Sequence, residues 1–395
     1  MRNFFAVFVK NAWWVYAVIV LTFGYALMLE DVPTQIHVTQ EEIDDGTAAE
    51  YLESCKLLGV IPVKYVSVTV CPREMVYPCG KVVGIYGQTR GVLVLSTTSL
   101  ENQEGRLEAP AANLLLPGDY IYAVNGEPIE TKEELVDWVS NYCRWNRDRQ
   151  TNAADNPCLR LSVHRQEDDM EITVPIIKTA GGTYKLGVWV KDDLAGIGTI
   201  SFFKENGEFG ALGHGIGDGE TGQILGMSQG KIYRAQIAGI RKGVRGEPGE
   251  IEGVIYYGTE DDLGTLSDNG QIGLFGKLGA EHLAEFREES APMEIAYRQE
   301  VELGKAMIWS DVSGEMKGYE IEITDLDFRT SSANKGIHFT VTDEELIALT
   351  GGIIQGMSGS PIVQNGRIVG AVTHVLVNDP ARGYGIFIEN MLNAN

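Results

Sequence analysis

The residues whose types and spacing could do chemistry gather near the C-terminus, in Gly352-Ile-Ile-Gln-Gly-Met-Ser358-Gly-Ser-Pro361. One serine stands between glycines, a proline follows three residues later, and an alternating apolar run comes next. Acyl transfer by a serine needs an exposed hydroxyl on a tight turn and two backbone N–H groups aimed at the developing oxyanion. Those donors would belong to Ser358 and to Gly356, where glycine permits the backbone angles required, while Gly359 clears space beside the hydroxyl. A plain Gly/Ser-rich hairpin turn has overlapping residue preferences. The serine therefore has to be matched to partners elsewhere.

A serine nucleophile needs a base. Of the six histidines, His37 lies in an N-terminal polar segment and His164 in a strand-like stretch. His282 lies in a helical-looking Gly-Ala-Glu-His-Leu-Ala-Glu-Phe run and His338 in an alternating strand, Lys335–Val341. That leaves His214 and His374. His214 is bracketed by glycines in Gly210–Asp218 after an apolar strand, which is how a base is exposed at a cleft, although a lone histidine is commonly structural. A third group must orient the imidazole. Asp343 lies 15 residues before Ser358, and Asp218 lies four after His214. Asp343 also reads as a turn residue or the N-cap of Glu344–Leu349, and Asp218 as a hairpin residue.

These residues need elements to hold them. The chain has 395 residues, enough for two or three domains, and its 47 glycines with short Val/Ile/Thr-rich runs favour β-structure. A formal charge of −23 argues against a nucleic-acid partner, which requires a basic surface. The five cysteines (Cys55, Cys71, Cys79, Cys143, Cys158) show no metal-binding spacing. Neither metal nor cofactor is expected. Cys71 with Cys79, or Cys143 with Cys158, would close short loops in an oxidising compartment; buried free thiols are the equal alternative.

Residues 1–32 read as a cytoplasmic stub and transmembrane signal-anchor. Arg2 and Lys10 precede the apolar run Ala12–Leu29, acid follows at once, and Trp13, Trp14 and Tyr16 suit the lipid interface. This predicts a single-pass protein with everything after the span extracytoplasmic. A cleaved signal peptide is the competing reading, but no clear cleavage site follows the run. Residues 33–62 are polar, acidic and weakly helical from Glu41 to Leu58, a membrane-proximal segment.

Residues 63–178 form a unit with a distinctive order: a strand Gly91–Ser96, then Pro110-Ala-Ala-Asn-Leu-Leu-Leu-Pro-Gly-Asp119, a strand Tyr120–Val124 and the turn Asn125-Gly126. Thr131 with Glu134 makes a capping box opening an amphipathic helix. The series resembles a PDZ domain of the bacterial, protease-associated type. The resemblance implies that Gly80, Lys81, Val82, Val83, Gly84 and Ile85 receive a peptide end by carboxylate capture and strand addition. The groove could equally hold a segment of the same chain.

From residue 179 to 395 the texture is one of short β runs between Gly, Asp and Asn turns, which suits two packed six-stranded antiparallel barrels. The runs Val188–Thr199, Gly210–Asp218, Thr350–Ile362, Gly370-Ala-Val-Thr-His-Val375 and Gly383-Tyr-Gly385 together resemble the stage IV sporulation protein B (SpoIVB) family, S55-type serine peptidases with a PDZ domain. The resemblance implies a chymotrypsin-like double barrel with His214 as base, Ser358 as nucleophile and Asp343 as third member, in chain order His, Asp, Ser. The short interval from Asp343 to Ser358 departs from the usual chymotrypsin-like layout. Gly370–Val375 would pair with substrate, placing Thr373 or His374 near the triad, and Gly383 and Gly385 would wall the primary pocket. His374 is the rival base. The family also implies signalling between two membranes in spore formation: cleavage of itself and of a membrane-bound regulator, releasing an intramembrane protease that processes a sigma-factor precursor. The competing function is a non-catalytic PDZ scaffold that binds membrane-protein partners.

Overall fold

The computed structural model describes residues 32–142, 157–217 and 224–393, apart from 34, 55, 58–60, 63, 167 and 329, together with 16, 18, 20 and 22. The apolar run Ala12–Leu29 lies largely outside the described residues, among which no helix is long and apolar enough to cross a membrane. The weakly helical stretch after it becomes two short helices, Gln40–Asp44 and Thr47–Ser54. Arg73 ties this segment to the body, pairing with Glu42 and Glu300 at 2.9 and 2.8 Å.

The body is mainly β. Strands β1 (Met75–Pro78) and β2 (Val82–Thr97) open it, followed by β3 (Tyr120–Val124), helix α1 (Lys132–Ser140), β4 (Cys158–Arg165) and β5 (Asp168–Pro175). Then come β6 (Val188–Phe203), β7 (Glu208–Ala211), β8 (Met227–Arg241), β9 (Glu250–Ile255), β10 (Asp262–Gly270) and β11 (Gly273–Leu278). The C-terminal part holds β12 (Gly304–Ser310), β13 (Lys317–Leu326), β14 (Ile337–Val341), helix α2 (Glu344–Thr350), β15 (Pro361–Gln364), β16 (Arg367–Leu376) and β17 (Asp379–Phe387).

Two six-stranded barrels are present. Strands β2, β8, β10, β11, β7 and β6 close the first, and β12, β13, β14, β17, β16 and β15 close the second. Alternation explains the closure: in β13, Tyr319, Ile321 and Ile323 point into the second core while Glu320 and Glu322 face out. A shared apolar seam that includes Val76, Phe202, Phe275, Ile368 and Ile386 joins the barrels.

The first barrel does not begin after residue 179. It takes the N-terminal half of β2, which pairs with β6 on one side (Val82 opposite Thr199, Ile85 opposite Gly196) and β8 on the other (Ile85 opposite Ile232). This corrects the expectation for Gly80–Ile85. With both edges paired there is no edge for a peptide to join, and Val82, Val83 and Ile85 are buried. Gly80, at φ +75, sits where a Cβ would lie 2.7 Å from the Trp309 carbonyl oxygen, and one at Gly84 would meet Ile255 at 2.4 Å. Lys81 pairs with Glu289 at 2.8 Å, and the Val82 N–H donates to Asp311.

The chain leaves the barrel at Gly91, where φ is +98 and a Cβ would come within 2.8 Å of the Ile121 carbonyl oxygen. From there the end of β2, with β3, β4, β5 and α1, builds a separate core around Val94, Leu115, Ile121, Leu135 and Leu161. The chain re-enters the barrel along β6. The unit read as residues 63–178 is thus an insertion within the barrel, from about 92 to 187. The capping box at Thr131 and Glu134 starts α1, which buries Leu135 and Val139.

Among the described residues Cys71, Cys79 and Cys158 form no disulfide with one another; Cys55 and Cys143 lie outside them, so the Cys143–Cys158 pairing does too. The Cys71–Cys79 bridge is absent: Cys71 contacts the Tyr297 hydroxyl at 3.0 Å, and burial pushes the Cys79 thiol up to about 12. The second reading, buried free thiols, holds for Cys79.

Candidate active site

The serine turn is built between α2 and β15. Helix α2 stops at Gly351, which takes the left-handed conformation (φ +79), and the chain then folds back through Gly352. Met357 is fully buried in the core of the second barrel and pins the turn from below. The Gly359 N–H donates to the Val372 carbonyl at 2.7 Å and the Val372 N–H to the Ser360 carbonyl at 2.9 Å, so β16 holds the turn from the side. Ser358, half-buried, is left facing a cavity of about 440 Å³ at the junction of the barrels. Among the described residues neither the Gly356 nor the Ser358 N–H donates to another main-chain group, as oxyanion donors must be left free to act.

His214 reaches the same cavity from the first barrel. Leu212 and Gly213 after β7 are both left-handed (φ +66 and +70), which turns the chain sharply and aims the imidazole into the junction. A Cβ on Gly213 would lie 2.7 Å from the Thr373 methyl, so this turn packs directly against β16. His214 Nδ1 is 2.9 Å from the Gly215 carbonyl oxygen. A carbonyl only accepts, so the contact requires the proton on Nδ1 and leaves the Nε2 lone pair free, the tautomer of a general base. Burial lowers the His214 pKa below its ordinary 6.5.

His374 also lines the cavity, with its ring centroid 5.1 Å from that of His214. Burial, then His214 and Lys335, depress it to about 4, and its buried Nδ1 has no hydrogen-bond partner among the described residues. The Ser358 hydroxyl donates to the Thr373 carbonyl oxygen at 2.8 Å. Handing its proton to an imidazole requires the O–H to turn away from this bond.

Asp343 is not brought to the site. Its carboxylate caps α2, accepting from the Leu346 N–H at 2.9 Å and the Glu320 N–H at 3.3 Å, and it does not line the cavity. The helix N-cap reading is the one the geometry bears out; Asp218 lies outside the described residues. No carboxylate lines the cavity among the described residues. Thr373 contributes its main chain: its hydroxyl turns away, 2.6 Å from the Asn334 carbonyl oxygen. Gly383 and Gly385 are not pocket walls. A Cβ at either would strike Phe339 at 2.6 Å or Ile362 at 2.7 Å inside the second barrel, so packing explains both glycines. Ile85, assigned by sequence to peptide capture, is a wall of this cavity instead.

A family model described as SpoIVB peptidase S55 matches residues 182–392, more than half of the chain and both His214 and Ser358. The chain belongs to the SpoIVB peptidase S55 family. It is therefore a serine peptidase, and the two barrels are its peptidase fold. Among curated proteins none matches. Two solved PDZ domains of SdrC-like proteins are similar to part of the chain. The one from Listeria monocytogenes is 17% identical over 26% of this chain and 87% of its own, with a TM-score of 0.19. The one from Listeria innocua is 21% identical over 25% and 92%, also with a TM-score of 0.19.

Sequence reasoning missed several parts of this S55 site. Ala195, Gly196 and Ile197 on β6 form one wall, and Thr199, next along, bonds to the serine turn. Val188–Thr199 stood out as a motif, but nothing in its composition separates a cavity wall from an ordinary strand. The Gly215 carbonyl, 2.9 Å from His214 Nδ1, is a main-chain group and leaves no mark on residue type.

Proposed function

We propose that Ser358 is the acylating nucleophile of an endopeptidase, that His214 is its base, and that the Gly356 and Ser358 N–H groups stabilise the oxyanion. The observation that carries this reading is that His214 and Ser358, 144 positions apart in the chain, line one cavity from opposite barrels. The Gly215 carbonyl takes the orienting role that a carboxylate has in a triad. Because the main-chain dipole carries no full charge, it supports the imidazolium less than an aspartate would. Walls of Ile85, Ile197, Ile353, Ile354 and Val375 favour an apolar substrate side chain beside the scissile bond.

The substrates we propose are the chain itself, cut near its N-terminus, and the extracytoplasmic part of a membrane-bound regulator in sporulation signalling. The N-terminal apolar run would hold the enzyme at that membrane. The inserted unit is proposed to bind peptide termini, but at a different place from Gly80–Ile85. A second cavity of about 440 Å³ lies between α1 (Leu135, Val139) and residues 183–190, where β6 pairs only with β2 among the described residues and has its other edge available.

Mass spectrometry of the purified wild type and of Ser358→Ala tests the catalytic reading. Wild-type protein should be cut at defined bonds after apolar residues, and Ser358→Ala should remain intact. Self-cleavage that persists in Ser358→Ala sinks it.

A further inference from the structure

We infer that Thr199 is a positioning residue for the oxyanion turn, holding it through its hydroxyl from the opposite barrel. The inference rests on Ser358 as nucleophile. Thr199 is fully buried on β6 and makes three bonds at the junction. Its hydroxyl donates to the Gly356 carbonyl at 2.7 Å, its N–H donates to the Ser358 carbonyl at 3.1 Å, and its carbonyl accepts from the Leu212 N–H at 3.2 Å. One residue thus ties both ends of the Gly356–Ser358 turn and the start of the turn that carries His214.

The side-chain bond matters most for the oxyanion. The Gly356 carbonyl belongs to the peptide unit between the two proposed donors. Gly356, at φ +99, has the freedom of a glycine, so the backbone on either side of it can rotate. A hydroxyl fixed on that carbonyl oxygen holds the unit in one orientation, and with it the direction of the flanking N–H groups. The main-chain bond from Thr199 to Ser358 exists for any residue at this position. The bond to Gly356 needs a hydroxyl on Cβ, which only threonine or serine supplies. Thr199 touches no reacting atom, so its effect is on the rate of acylation and not on binding of the leaving group.

Fluorophosphonate labelling of the full chain tests this, because the probe phosphonylates an activated serine, with loss of fluoride and an oxyanion on phosphorus, without needing the natural substrate. The inactivation rate constant and the half-saturation concentration are measured for wild type, Thr199→Val and Thr199→Ser, with intact mass to locate the label and melting temperature as a check on folding. The expected result is a fall in the rate constant of about tenfold to a hundredfold for Thr199→Val, less than loss of a whole oxyanion donor. Half-saturation and the acid midpoint of the pH profile stay unchanged, and Thr199→Ser recovers to within about threefold. Should Thr199→Val not fold, Thr199→Cys takes its place, since a thiol of similar size donates only weakly. Wild-type rates in the valine or cysteine variant overturn the inference. So does equal loss in Thr199→Ser, which would make the threonine methyl's packing responsible. A wild-type label at a serine other than Ser358 overturns the reading of the site itself, and the Thr199 inference with it.

Discussion

His214 donates from Nδ1 to the carbonyl oxygen of Gly215, the residue next to it in the chain, at 2.9 Å. For the proposed base this contact fixes the tautomer with no carboxylate lining the cavity among the described residues. The base also gains less electrostatic help when it becomes protonated.

The first consequence concerns Asp343. Because its carboxylate caps α2, Asp343→Asn should keep both the cap and the rate of Ser358 acylation, asparagine being as good an N-cap as aspartate. Asp343→Ala should lose about 1 kcal/mol of stability with acylation little changed. Fluorophosphonate labelling alongside urea denaturation separates the two roles. A loss of about 10⁴ in rate for the asparagine variant, the size seen when a triad aspartate is removed, would return Asp343 to the catalytic machinery.

The pH dependence follows from burial. Burial lowers His214 below its ordinary 6.5, and as the proposed base it must be neutral to accept the serine proton, so acylation should rise with pH along a limb whose midpoint lies below 6.5. His374 is depressed further from 6.5, to about 4. Removing it with His374→Gln should leave the midpoint in place, whereas His214→Ala should abolish the limb together with the activity. A midpoint above 6.5, or one that moves with residue 374, would assign the titrating base differently.

Stability should carry a second signature of pH. Burial raises Asp311 to about 6 from its ordinary 3.8, although it also accepts the Val82 N–H. A raised carboxyl favours the folded state in its protonated form, so this contribution is present below pH 3.8 and is lost as pH rises through about 6. About two pK units correspond to roughly 3 kcal/mol. Asp311→Asn keeps an acceptor for Val82 without the charge, so between pH 4 and 7 its stability should gain on wild type by up to about that amount. Denaturation curves that run parallel across that range would show that Asp311 does not titrate in this way.

Much of this was legible in the chain. The serine turn is visible in its glycines at 356 and 359, both at positive φ (+99 and +100), and the His214 turn in its bracketing glycines, of which Gly213 is at φ +70. Two barrels follow from the density of short alternating strands. What failed was assignment of neighbours. Val82–Ile85 has the same alternation whether it borders a peptide groove or closes a barrel, and only the pairing with β6 and β8 decides between them. Gly383 and Gly385 owe their pocket-wall role to the family resemblance alone, yet a Cβ at either would strike Phe339 or Ile362 inside the barrel. Asp343 lies close to Ser358 in the chain, but seven residues of helix stand between its cap and the turn.

The serine turn itself offers the sharpest test of how the barrels cooperate. Gly359 and Gly366 both have positive φ, +100 and +75, but a Cβ at Gly366 would meet nothing within 4 Å. A Cβ at Gly359 would lie 2.0 Å from the Thr199 carbonyl oxygen and 2.7 Å from the Leu212 nitrogen, both main-chain atoms that cannot swing aside. Gly366→Ala should therefore cost only the backbone strain, about 1–2 kcal/mol, and leave Ser358 acylation intact. Gly359→Ala adds a collision at the point where the turn is bonded to the first barrel. The turn or the strand must shift, taking the oxyanion donors with it, and acylation should fall by about 10²–10³. Labelling rates compared with melting temperatures for the two variants check this. If Gly359→Ala lost stability but labelled at the wild-type rate, contact between the barrels at Thr199 would not be what aligns the nucleophile turn.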